Sequence, residues 1–156
     1  MWVDNLLIHN VAAYRLIILF AILLVACTFD VCARRVPNSL IVVGYLLAVF
    51  YTYLTGLPTM IALFEGVAGG LLILLPFYFF SLIGAGDVKL FSVVGAFLGP
   101  QALLPCLLFV ALSGGVLALV YIINKRSRQI PYACAILGGV GLYVVLNQSH
   151  ITKNVF

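Results

Sequence analysis

Charge is what this sequence has least of. Of its 156 residues, eight are Lys or Arg and four are Asp or Glu, 8% in all, where a soluble domain carries about 25%. That scarcity excludes a solvated globular domain. It also weakens a nucleic-acid reading of the net charge of +4, because basic residues of membrane proteins collect in cytoplasmic loops and report topology first. No G-K-[ST] follows a glycine-rich loop, and no strand-based unit surrounds the glycines that are present, so neither a P-loop nor a dinucleotide fold is supported. The four cysteines, Cys27, Cys32, Cys106 and Cys134, form no C-x-x-C pair and lie in or beside apolar runs. They read as small apolar residues, with neither a zinc cage nor a disulfide framework.

What is present is apolar: 65% of the chain is hydrophobic. A membrane crossing needs about 20 apolar residues, and hydropathy divides the sequence into segments at 11–29, 39–55, 59–82, 87–104, 103–123 and 132–148. The expected fold is an all-α integral membrane protein, with about six transmembrane helices in one bundle and a single domain over 1–156. Gly99, Pro100 and Gln101 separate the fourth segment from the fifth. They leave the fourth short for a crossing unless the bilayer thins or the helix sits inside the bundle.

The few cations set orientation. Arg34 and Arg35 follow the first segment, Lys89 lies by the third connection, and Lys125, Arg126 and Arg128 fill the fifth, whereas the loops near 55–58 and 99–101 carry no charge. The positive-inside rule then places the odd connections in the cytoplasm and both termini outside. Leu24 to Cys27 resembles a lipobox, but Asp4 and Asn5 precede the apolar run and the first cation is Arg15. A signal peptide opens on a basic stretch instead.

The acidic residues are few enough to take singly. Asp4 is a solvated terminal charge, and Glu65, inside the third segment near its outer end, can snorkel to the interface. Asp30 closes the first apolar run and Asp87 stands where the third segment meets the fourth, so topology brings both to one face. Carboxylates at membrane depth are costly and usually mark function, although two helix-end charges, with Asp87 on the N-terminal dipole of the fourth helix, are an ordinary alternative. Gly84 and Gly86 precede Asp87, and glycine permits close backbone approach. Two neighbouring aspartates share a proton, as aspartic-protease chemistry requires, with no metal and no other cofactor.

On these residues the sequence resembles the type IV prepilin peptidases. Gly84-Ala85-Gly86-Asp87-Val88-Lys89-Leu90 is similar to their GxGD motif, and Asp30 with Arg35-Val36-Pro37-Asn38 to their first-aspartate segment. Ile130-Pro131-Tyr132-Ala133 with Gly138-Gly139 resembles the start of their last helix. The resemblance implies Asp30 and Asp87 as catalytic residues, with Gly84, Gly86, Lys89, Pro37 and Asn38 in support of the motif or substrate path. It implies a multi-pass protein of the bacterial inner membrane, with a cytoplasm-facing site that cleaves the basic leader of a prepilin. The partners it implies are that prepilin and the lipid bilayer, not nucleic acid. The paired C-x-x-C motifs of a methylating N-terminal zinc domain are lacking, as in the short forms of Flp-type tight-adherence systems. Two other classes stay open on the residues alone: a small transporter relaying protons through Asp30 and Asp87, and a non-catalytic subunit of a pilus or secretion machine.

Overall fold

The computed structural model describes residues 2–81, 83–123 and 132–147, and in these it is all helix and turn. Helix α1 runs Trp2–Ala33, α2 Asn38–Thr55, α3 Met60–Phe79, α4 Ala85–Leu98, α5 Leu103–Ile123 and α6 Tyr132–Leu146, with a 3-10 turn at Pro100–Ala102. Six helices match the six apolar segments. Among the described residues four stretches are long and apolar enough to cross a membrane: Ala13–Ala33, Asn38–Thr55, Met60–Phe79 and Pro100–Ile123. The basic connection of Lys125, Arg126 and Arg128, with Ile130 and Pro131, lies outside the described residues.

The helix ends follow from local chemistry. No glycine or proline interrupts 2–33, so α1 extends nine residues ahead of its apolar segment. It stops at Arg34, whose positive φ of 53° turns the chain while its N–H donates to the Asp30 carbonyl at 2.9 Å. Gly56, at φ 72°, closes α2 in the same way through an N–H bond to the Thr52 carbonyl. Thr59 opens α3, its hydroxyl accepting from the Ala62 N–H at 3.2 Å.

Helix α4 has 14 residues, about 21 Å at 1.5 Å per residue, and is too short to cross the hydrocarbon core. It resolves the doubt over segment four: this is the central helix of the bundle rather than a lipid-facing span. All eight residues from Leu90 to Phe97 are buried, with Leu90, Phe91 and Val93 inaccessible. A helix that is apolar all round is a core helix. The long helices, by contrast, expose Leu46, Phe50, Leu72, Leu108 and Leu112, as surfaces facing acyl chains do.

Small residues bring α3 and α4 into backbone contact. A Cβ on Gly66 would stand 2.1 Å from the Gly95 carbonyl oxygen, one on Gly95 2.2 Å from that of Gly66, and one on Gly70 2.7 Å from Ser92 Cα. Gly66 and Gly70, four residues apart on α3, and Gly95 on α4 thus form a small-residue seam of the kind that brings membrane helices together. Gly99 differs. With φ 83° and open space around it, it ends α4 instead of packing it. Gly139 serves α5 and α6 similarly, its Cβ position lying 2.4 Å from Val110 Cα.

Because backbone cannot yield as a side-chain tip does, Gly66→Ala is expected to separate α3 from α4 and destabilise the protein by about 3 kcal/mol. Gly115 has nothing within 4 Å, so Gly115→Ala is expected to be neutral or slightly stabilising. Thermal unfolding of the two variants in the same detergent checks the contrast.

Candidate active site

Asp30 and Asp87 reach one end of the bundle by different routes. Asp30 lies in the last turn of α1, and its Oδ2 accepts the Ala133 backbone N–H, in the first turn of α6, at 2.9 Å. The carboxylate thus caps a helix 103 residues away. Asp87 is the third residue of α4, and its Oδ2 accepts the Gly84 N–H at 3.2 Å. That is the half of a capping box in which the side chain reaches back to the helix start.

Both carboxylates are half-buried. Asp87 sits at the mouth of α4, outside the four membrane-length helices. Burial, and after it the charge of Asp30, push its carboxyl up to about 6, against the opposing bond from the Gly84 N–H. Desolvation disfavours a charged carboxylate and a like charge nearby disfavours it further. The effect of Asp30 on Asp87 is the electrostatic mark of their shared end.

The supporting residues divide by what they touch. Asn38, the first residue of α2, accepts from Lys89 Nζ at 3.1 Å, so two of the expected residues are joined across α2 and α4. Pro37 precedes α2 with φ −68° and ψ 136°, an extended entry that proline favours. Gly86 faces Val36, whose Cβ would be 3.3 Å from a Cβ there. Gly84 has φ −77°, and its Cβ position is 3.1 Å from Asp87 Oδ2. The space at Gly86 is therefore taken by the α1–α2 connection, and the space at Gly84 by the aspartate itself. Neither glycine needs a left-handed backbone. Lys89 is directed to Asn38, in keeping with its place two residues from Asp87, which rotates it to another face.

The cysteines require a correction. Cys27 and Cys134, read above as small apolar residues outside any disulfide, are joined in a disulfide with Cα atoms 4.9 Å apart. Cys27 is one turn before Asp30, and Cys134 follows Ala133, so the link fastens α1 to α6 beside the Asp30 bond. Their separation of 107 residues hid the pairing from a reading based on short spacings. Cys32 and Cys106 are free. Among the described residues no group of three or more His, Cys, Asp or Glu is placed to hold a metal ion.

Ala133 and Val36 are the members of this end that sequence reasoning did not single out. Ala133 acts through its backbone, for which side-chain identity carries no signal, although the segment resembling the start of a last helix includes it. Glu65 lies on exposed surface of α3 near its start, at the opposite end from the aspartates. His150 lies outside the described residues.

No curated protein and no solved structure matches the chain. The match that does exist is to a family, and it takes in α2 to α5, the C-terminal half of α1 and both aspartates. It stops before α6. Matched over residues 17–123, well over half its length, this multi-pass helical protein belongs to the type IV leader peptidase family, a family of proteases.

Proposed function

We propose that the protein is an aspartic endopeptidase that removes the basic leader of a type IV prepilin, of the Flp-like kind, with Asp30 and Asp87 as its catalytic pair. Family membership supports leader cleavage. What carries the catalytic assignment is geometry: Asp30 and Asp87 stand at one end of the bundle, each accepting a backbone N–H, and burial and the charge of Asp30 raise the Asp87 carboxyl to about 6. Near pH 6 a substantial fraction of the Asp87 carboxyls holds a proton, the state that general acid–base hydrolysis needs of one member of the pair.

In this mechanism Asp87 is the proton holder. It donates to the scissile carbonyl oxygen while the other carboxylate takes a proton from the attacking water, whose oxygen bonds to the carbonyl carbon. The tetrahedral diol then collapses: the C–N bond breaks, the leaving nitrogen takes up a proton, and the new carboxyl ends the leader. Lys89, Arg34 and Arg35 place positive charge around the same end, consistent with a cytoplasmic face by the positive-inside rule. Both termini then lie outside, in the inner membrane of a bacterium. The Asn38–Lys89 bond and the Val36–Gly86 contact hold the α1–α2 connection against α4, and the substrate path runs past this seam.

The test exploits the fact that both carboxylates accept a backbone N–H. Asparagine keeps a carbonyl oxygen and is as good a cap as aspartate, so Asp30→Asn and Asp87→Asn are expected to stay folded and to lose cleavage by at least about 1,000-fold. The check is mass spectrometry of a co-expressed prepilin, which reports cleavage and its position together. If capping were the whole role of these residues, the Asn variants would cut at the wild-type rate. A proton-relay protein or a silent assembly subunit would yield no shortened pilin from any variant.

The pH profile follows from the Asp87 value. Raising pH through about 6 removes the proton that the mechanism donates, so kcat/KM for leader cleavage is expected to fall about tenfold per unit on the alkaline side. In Asp30→Asn, which lacks the repelling charge, infrared titration of the Asp87 carboxyl is expected to show its midpoint shifted down. An unchanged midpoint would count against electrostatic contact between the two.

A further inference from the structure

Arg15 is buried, 5% exposed, inside α1, and nothing among the described residues accepts from its Nε. No ion pair among them involves it. An unpaired cation withdrawn from water costs several kcal/mol, and the leader peptidase chemistry at the other end makes no use of it. Fifteen residues of helix separate Arg15 from Asp30, about 22 Å. Its surroundings are a cavity of about 140 Å³ lined by Arg15, Ala62, Glu65, Leu98, Gln101 and Tyr143.

The cavity has a cationic floor and an anionic rim. Arg15 is deep, whereas Glu65 is exposed on α3. Guanidinium binds phosphate through paired N–H donors, and a carboxylate at the rim suits an ammonium group. The position fits a membrane interface: Arg15 is the third residue of the stretch Ala13–Ala33, and the uncharged turns at 55–58 and 99–101 border the cavity through Pro58, Gly99 and Pro100. The helices that line it carry exposed apolar side chains close by in sequence, Ile61 at 72%, Phe64 at 66% and Leu104 at 66%. A phosphate placed on Arg15 would leave acyl chains against these residues.

We propose that this cavity binds the headgroup of a phospholipid that carries a primary amine, its phosphate on Arg15 and its ammonium on Glu65, from the leaflet at the end opposite the aspartates. The ligand is an aminophosphate, and the lipid, not a soluble headgroup, is its source.

Native mass spectrometry of the detergent-purified protein, titrated with phosphatidylethanolamine, phosphatidylglycerol or phosphatidylcholine, reads retained lipid directly. Phosphatidylethanolamine is expected to be retained at least tenfold better than the other two. Arg15→Met is expected to reduce retention of phosphatidylethanolamine at least tenfold, and Glu65→Gln to abolish the preference over phosphatidylglycerol while keeping phosphate binding. Glu65 is exposed, so its variant tests the site even if the buried Arg15 substitution impairs folding. Retention of phosphatidylethanolamine by a folded Arg15→Met equal to wild type, or an unchanged preference in Glu65→Gln, would overturn the proposal. Competition by glycerophosphoethanolamine at the same concentration as lipid would overturn the lipid as the source.

Discussion

The backbone contact between α3 and α4 is the constraint on which the rest of this structure depends. In a bilayer, lipid tails are as apolar as leucine, so helices gain little by hiding apolar surface from them and associate through close packing. Gly66, Gly70 and Gly95 permit an approach at which no Cβ fits. That approach holds a 14-residue helix in the middle of longer ones. Because α4 is short and central, its N-terminus ends among the other helices instead of at a lipid-facing surface, and Asp87 is half-buried there.

Around that N-terminus several contacts cross between helices. Lys89 reaches Asn38, Asp30 reaches the Ala133 N–H, and Cys27 is bonded to Cys134. Val36 fills the space left by Gly86. Each of these contacts joins an element adjoining one aspartate to another element of the bundle, and the Gly84 N–H adds a local bond to Asp87. Helix caps are economical positions for this purpose. A carboxylate that accepts an N–H is oriented by it, and its second oxygen remains available to water or a peptide.

Much of this was legible in the sequence, for identifiable reasons. Spans of hydrophobic residues are forced by the need to satisfy backbone groups within the membrane, which is why α2, α3 and α5 fall within a few residues of their apolar segments. The N-terminal extension of α1 was not legible from hydropathy, because Asp4, Asn5, His9 and Asn10 break the apolar run without breaking the helix. Asp30 and Asp87 stood out because acidic residues are so rare here. The disulfide, the Ala133 bond and the Val36 contact did not, since each depends on which helices are neighbours, and spacing along the chain does not encode that. The same holds for Arg15, whose burial follows from the packing of α1 against α6, α2 and α4, with residues of α3 and the turn at Pro100 lining the cavity beside it.

The charge balance at the aspartate end comes out of opposing terms. Two helices, α4 and α6, direct their N-termini at the carboxylates, each equivalent to about half a positive charge, and each gives one N–H bond. Lys89 adds its charge near the same end but is turned to Asn38. These terms favour ionised carboxylates. Burial and mutual repulsion oppose them, and for Asp87 they win, with burial the larger of the two. Moving Asp87 fully into water would remove the burial that is the larger cause of its raised carboxyl. The depth of α4, fixed by glycines well away from the site, is therefore what holds Asp87 in the range where it can both keep and give a proton.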